Sequence, residues 1–463
     1  MPSSRRNIIA SCAMSLVILS SVGDIFLDAP SLILAGSAAL VVYFMLCWRQ
    51  FTGAAWMTMS LCVGLLVLVL IGGISADALL GGMSRMLFLA ALLAVMGFLR
   101  TAASSDPQIT LAGHYLTGQP PGRRYFALSF GGQFLGMLIN FGGLAILLEM
   151  TKQSIKVQRG RLSDNILEWR LRRMTTASLR GFSLLPFWSP IGVGVNALLL
   201  AMPGLRYVDL IAGGLAGCAL LTLWGWLLDR RTAPKTPLPA AGPPQSAAPL
   251  LTLVAHILLL GLSIAVVKTI SGAPFQSALL ISIPLYSIAW AIWAQRPLSR
   301  PRHAAGRVLT TSFHRFPFAA AEIGVFASAG LLSVLALQIV PTDAVQSTLL
   351  ILKEPWLLIV ALNVTVFFLA TIGVNPIITA SVLATLVAQA DIPGLGNVPV
   401  ALALAGAWST VMGFTPAVTT VAFAGAIIDR PARLVGLRWN GVYCLSAFAL
   451  WTAIIAAWVA FTS

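Results

Sequence analysis

Runs of about twenty apolar residues recur along this chain, the length an α-helix needs to cross about 30 Å of hydrocarbon. Inside a bilayer every backbone N–H and C=O must find a partner within the protein, so only helices and closed β-barrels cross it. A barrel strand would alternate apolar and polar residues, and these runs do not. The chain is 58% hydrophobic and 9% charged, and it has no long polar segment to hold a soluble domain. It therefore reads as an all-α polytopic membrane protein. Cys12, Cys47, Cys62, Cys218 and Cys444 all lie inside apolar runs, with no CxxC, so neither a disulfide framework nor a zinc site is expected.

Spans are expected near 7–27, 31–48, 54–73, 79–99, 177–202, 207–228, 250–270, 274–294, 314–340, 398–428 and 436–461. Arg5 and Arg6 precede an apolar stretch from Ile8 to Val22 that resembles a signal peptide; without a clear small-x-small cleavage site it reads as a retained first span. Two further segments, 125–151 and 355–390, are apolar but broken at Asn140-Phe141-Gly142-Gly143 and Gly373-Val374-Asn375-Pro376. At about 1.5 Å per residue, neither half of 125–151 can cross a bilayer alone. Both segments suit re-entrant helical hairpins. The expectation is therefore about eleven transmembrane helices plus two re-entrant hairpins, arranged as an N-terminal span (1–30) and two inverted repeats (31–228 and 250–463). A proline-rich linker, 229–249, joins the repeats.

Charge distribution supports this map. With the N-terminus in the cytoplasm, the inner segments are 1–6, 49–53, 100–124, 152–180, 229–249, 295–315 and 429–438. They hold all but Arg85, Arg206, Lys268 and Lys353 of the 29 Lys and Arg residues. The net charge of +15 is thus explained by topology and calls for no nucleic acid partner. On this map the C-terminus lies outside, the first hairpin dips from the inner face and the second, near Lys353, Glu354 and Asp391, from the outer face. Opposed hairpins are what an inverted repeat demands. Trp224, Trp226, Trp290 and Trp293 precede basic loops, as interface aromatics do.

Two of the spans are also interrupted. Phe187-Trp188-Ser189-Pro190-Ile191-Gly192-Val193-Gly194 breaks 177–202, and Phe414-Thr415-Pro416-Ala417-Val418-Thr419-Thr420 breaks 398–428. Paired Gly/Pro-interrupted segments at corresponding positions of two halves point to a transporter's binding site. A break frees backbone groups that protein, ion, substrate or trapped water must satisfy; the plainer alternative is a proline kink. Candidate substrate-binding residues are Asn140, Gly142, Ser189, Asn196, Asn375, Thr415 and Thr419. Asn140, Ser189, Gly192, Asn375 and Thr415 are the candidates for Na⁺ ligands. The plainer role for such asparagines is interhelical hydrogen bonding. Half-helix N-termini suit an anion and unwound carbonyls suit a cation. Glu322 is the candidate proton-coupling carboxylate, the alternative being a salt bridge with His314, Arg315 or another basic group. Glu149 closes the first hairpin and reads as a snorkelling residue, His256 as a hydrogen-bonded packing residue, and Arg180 as an inner-interface anchor.

The pattern resembles the ion transporter superfamily, and within it the divalent anion–sodium symporter architecture, over about 50–460. The family's hairpin tips typically read Ser-Asn-Thr; here Asn140-Phe141-Gly142 and Val374-Asn375-Pro376 keep the asparagine. The resemblance implies a homodimer held by a scaffold domain. It also implies an elevator-like transport domain containing both hairpins and both broken spans.

The sequence has no HExxH, GxSxG or Walker A motif, so no enzyme is expected. The expected function is a secondary active transporter of the inner cell membrane, moving a small organic anion with Na⁺. A proton-coupled carrier using Glu322, a lipid or glycan-precursor flippase and a passive channel are the alternatives.

Overall fold

The computed structural model describes residues 5–160, 162–231, 246–296, 301–339, 354–390 and 392–462. Most of the linker expected at 229–249, together with Lys353 and Asp391, lies outside the described residues. No β-strand occurs among the described residues. The helices are α1 (Arg5–Leu27), α2 (Pro30–Cys47), α3 (Gly53–Gly72), α4 (Ala76–Ser104), α5 (Pro107–Thr117), α6 (Pro121–Ile139), α7 (Phe141–Lys156), α8 (Asp164–Ser183), α9 (Leu185–Trp188) and α10 (Val193–Ala201). They continue with α11 (Tyr207–Arg231), α12 (Ala248–Ser271), α13 (Phe275–Ala294), α14 (Pro301–Arg315), α15 (Ala320–Ile339), α16 (Pro355–Thr371), α17 (Pro376–Ala390), α18 (Asn397–Met412), α19 (Thr419–Ile427) and α20 (Gly441–Thr462). Ten helical stretches are long and apolar enough to cross a membrane, and α16, α17 and α18 are shorter apolar helices. The chain is an all-α polytopic membrane protein.

Local chemistry sets the helix ends. Ser75 caps α4 by accepting from Ala78 N, and Asp106 caps α5 by accepting from Gln108 N, with Pro107 in the first turn. The polar stretch 100–124 therefore holds a helix of its own. The basic stretch after the first hairpin is largely helical too, because α8 begins at Asp164. Leu167, Leu171 and Met174 recur on its buried face, and its arginines find partners on neighbouring elements. A 3₁₀ turn, Phe316–Ala319, joins α14 to α15 in one long stretch, Pro301–Ile339.

The segment α6–α7 folds back on itself. A Cβ on Gly143 would lie 2.2 Å from Leu135 O, and one on Gly131 would lie 3.3 Å from a Leu147 methyl. Both pairs are symmetric about the end of α6, as in a hairpin. α16 and α17 form the second such pair, with Gly373 at φ 108° in the turn. At the centre α4 packs on α15, α13 on α4 and α3 on α15. The first hairpin lies against α8 and the second against α18. In addition α7 packs on α19, and α17 packs on α10. Each hairpin thus touches the first part of its own half's broken helix and the second part of the other half's.

Small residues permit these crossings. A Cβ on Gly181 would sit 1.9 Å from Ser129 O, and one on Gly132 would sit 2.4 Å from Ser178 O. Backbone therefore meets backbone where α6 crosses α8, as small-residue interfaces in membranes allow.

Basic segments gather with one another. Lys152 pairs with Asp429 (2.7 Å) and donates to Ile427 O (3.0 Å), and Arg430 pairs with Glu168. The Lys152 ammonium, by hydrogen bond and charge, holds the Asp429 carboxyl below the usual carboxylate range. Arg173 pairs with Asp229. The ends of α7, α11 and α19 and the first half of α8 therefore share one end of the molecule.

Candidate functional site

The first broken helix comes apart in two steps. α8 ends at Ser183, α9 lasts one turn, and Ser189 (ψ 114°) and Gly192 (ψ 131°) are extended before α10 resumes. Pro186 and Pro190 deny the backbone two N–H donors here. Asn196 stitches the break. Its Nδ2 donates to Pro190 O (2.9 Å) and Gly192 O (3.0 Å). Tyr207 Oη donates to Trp188 O (2.8 Å).

The second broken helix unwinds from Gly413 to Val418 around Pro416. Thr415 is buried; its hydroxyl accepts from Ala417 N (3.2 Å) and donates to Thr371 O at the end of α16 (3.5 Å). Phe414 meets Phe367, with ring centroids 5.1 Å apart. The unwound segment is thereby fastened to the second hairpin. Thr419 is exposed, whereas its neighbour Thr420 is buried.

At the first tip Asn140 adopts φ 56°, ψ −133°, a region that a residue with a Cβ rarely enters. The chain reverses on this one residue. Next to it, Phe141 meets Phe182 on α8 (5.4 Å) and Phe423 on α19 (5.2 Å). At the second tip Asn375 Oδ1 accepts from Ile377 N (3.1 Å) and so opens α17. Asn140, Gly142 and Asn375 are all half-buried.

Several buried polar atoms around these elements have no hydrogen-bond partner. Ser189 Oγ and Asn196 Oδ1 lie on the first broken helix, Ser409 Oγ on α18, Thr379 Oγ1 and Ser381 Oγ on α17, and Gln133 Nε2 on α6. The Oε1 of Gln133 accepts the Trp188 indole N–H (2.9 Å). A buried polar group is normally paired, because leaving it unpaired costs about 1–3 kcal/mol. Here the unpaired groups recur on both hairpins and both broken helices. Sequence reasoning singled out Ser189 and Asn196 but missed Gln133, Thr379, Ser381 and Ser409. Thr379 and Ser381 follow closely on Asn375-Pro376 in an otherwise apolar run, a readable signal.

A second buried polar group braces the site. Arg180 is 7% exposed, and its Nε donates to Asn440 Oδ1 (2.7 Å) and its Nη1 to Gly225 O (3.2 Å). Its guanidinium stacks over Tyr443 at 4.3 Å. Asn440 in turn donates to Gly413 O (2.9 Å), at the point where α18 unwinds. Arg180 is therefore held within the protein by these partners. It stands about four turns into α8, which starts at Asp164.

Glu322, half-buried in the first turn of α15, is acted on by the charge of Arg100. Among the described residues no ion pair joins Glu322 to His314 or Arg315. The Arg100 Nε lies 3.6 Å from where a Cβ on Gly142 would stand. Arg100 thus stands beside the tip of the first hairpin. His256 packs as expected: Nδ1 is 2.8 Å from Tyr286 Oη and the ring stacks on Trp290 at 3.8 Å. Glu149 is exposed. Among the described residues no group of His, Cys, Asp and Glu could hold a transition metal.

No protein-family model matches the chain, and no curated protein matches it. Solved structures do. The Alcanivorax borkumensis YdaH transporter matches with a TM-score of 0.57 at 16% identity, over 89% of this chain and 99% of that one. Neisseria gonorrhoeae MtrF, described with a class of antimetabolite efflux pumps, matches with a TM-score of 0.49 at 14% identity, over 99% of this chain and 95% of that one. The likeness to YdaH is one of fold.

Proposed function

We propose that this chain is a secondary active transporter that carries a small organic anion across the cell membrane together with Na⁺. The observation that carries the reading is the set of unpaired buried polar atoms on both hairpins and both broken helices. Ser189 Oγ and Asn196 Oδ1 are neutral oxygens beside unwound backbone carbonyls, the donor set a hard cation prefers. The N-termini of α10 and α19 carry the positive ends of helix dipoles and suit a carboxylate. Likeness of fold to a transporter agrees with this reading. The two halves act as inverted repeats, each hairpin gating the site from its own side while hairpins and broken helices move together. A homodimer, as the superfamily resemblance implies, would hold the static part.

A thermal-unfolding screen of the purified protein tests the site. Small organic anions should raise the midpoint in Na⁺ more than in K⁺ at equal ionic strength, because a ligand that binds only the folded state stabilises it by mass action. The Na⁺ advantage should vanish in Ser189→Ala. Equal midpoints in both salts for every anion would contradict Na⁺ coupling.

One observation favours a second reading, proton coupling. Glu322 lies in the field of Arg100, whose Nε approaches the first hairpin's tip. A carboxylate there could link protonation to movement of the tip.

A further inference from the structure

At the basic end of the molecule, α6, α8 and the end of α11 line a narrow, partly open cleft. Arg124, Arg170 and Arg173 line it, with Trp169, Tyr125 and Asp229. Three cations face one acid. Asp229 is already engaged by Arg173, whose Nε lies 2.6 Å from Oδ1 and whose guanidinium stacks on Trp169 at 4.5 Å. That leaves two guanidinium groups in excess.

Those two are hidden from water. Arg124 is 7% exposed and Arg170 is 6% exposed. Among the described residues neither is within ion-pair distance of a carboxylate. Arg124 Nε donates to the neutral Gln119 O (2.8 Å), and Arg170 Nη1 to the neutral Gln158 Oε1. The buried Nε of Arg170 has no partner at all. Burial, and after it the charges of Arg170 and Arg173, holds Arg124 down at about 10. Burying two cations without a counter-charge is costly, and a protein normally avoids it by pairing them.

We propose that this cleft binds a phosphate group, held between Arg124 and Arg170 and bordered by the Arg173–Asp229 pair. Two guanidinium forks match the charge of a phosphate and offer paired N–H donors to its oxygens. The group can come from an anionic phospholipid headgroup, since this end carries the segments that the charge map assigns to the inner face, or from free phosphate. The cleft is separate from the proposed transport site. Arg124 precedes the Asn140 tip by sixteen residues of α6, about 24 Å at about 1.5 Å per residue. Because Arg124 stands at the foot of the first hairpin and Arg170 on α8, a bound phosphate ties the hairpin to the first broken helix and sets how freely the two move apart.

The full-length protein in a phosphate-free non-ionic detergent provides the test. Its unfolding midpoint is followed with inorganic phosphate, with chloride at equal ionic strength, and with short-chain phosphatidylglycerol or phosphatidylcholine. A rise of several degrees with inorganic phosphate assigns the cleft to a free anion. A rise with phosphatidylglycerol, absent with phosphatidylcholine and inorganic phosphate, assigns it to a lipid headgroup. Either rise should be lost in Arg170→Gln and kept in Arg123→Gln, whose exposed neighbouring arginine does not line the cleft. Arg170→Lys, which keeps the charge without the fork, should retain less than half of the shift and serves if Arg170→Gln fails to fold. No rise with any phosphate-bearing probe, or equal rises in wild type, Arg170→Gln and Arg170→Lys, would overturn the proposal.

Discussion

Asn140 combines two properties that substitution can separate. Its backbone sits at φ 56°, where glycine is at ease and a Cβ is strained, and its side chain is a candidate ligand. Asn140→Gly removes the amide and keeps the turn; it should fold with a stability within about 1 kcal/mol of wild type yet lose transport. Asn140→Ala keeps a Cβ at the same backbone position; it should lose transport and be less stable than Asn140→Gly by about 1–2 kcal/mol. Chemical denaturation beside an uptake assay reads both, and an active Asn140→Gly protein would remove the side chain from the site. The asparagine at this tip was legible in the sequence because it stood beside two glycines in an apolar run. The strain of its backbone was not legible, since it depends on the arms of the hairpin closing on each other. Gln133, Ser409 and Asn440 were equally silent, because a polar residue in a membrane helix shows its role only once its neighbours are known.

At the scale of elements, hydropathy located the apolar helices and glycine and proline located the breaks. The start of α8 was not legible: six of its first ten residues are not apolar, and their polar groups are met by neighbours such as Asp229, which pairs with Arg173, and Gln158, which accepts from Arg170. The crossing of α6 over α8 is the tightest joint between hairpin and broken helix. Gly181→Ala places a methyl group 1.9 Å from Ser129 O, so the helices must separate. Overpacking of this kind costs about 1–3 kcal/mol. The unfolding midpoint should fall by several degrees, whereas Gly204→Ala, in a turn with open space around its Cα, serves as a control near the left-handed region and should fall only by its backbone strain.

Across the whole molecule, the order of helices gave the two hairpins but not the way they cross. That α7 rests on α19 and α17 on α10 is a long-range pairing that no local pattern encodes. The crossing makes each hairpin contact both halves, as a shared central site would need. The charge map makes a separate claim about orientation. In intact cells an impermeant maleimide should label Arg206→Cys, at an exposed position before α11, and should spare Lys156→Cys. The background should lack Cys12, the exposed native thiol. Equal labelling of both sites would sink the proposed orientation.

Transport itself is tested most directly in proteoliposomes, using an anion that stabilises the purified protein in Na⁺. An inward Na⁺ gradient with no pH gradient should drive its accumulation, and Ser189→Ala and Asn140→Gly should each abolish it. Accumulation that ignores Na⁺, follows an inward proton gradient and disappears in Glu322→Gln would contradict the account and leave Glu322 as the coupling group.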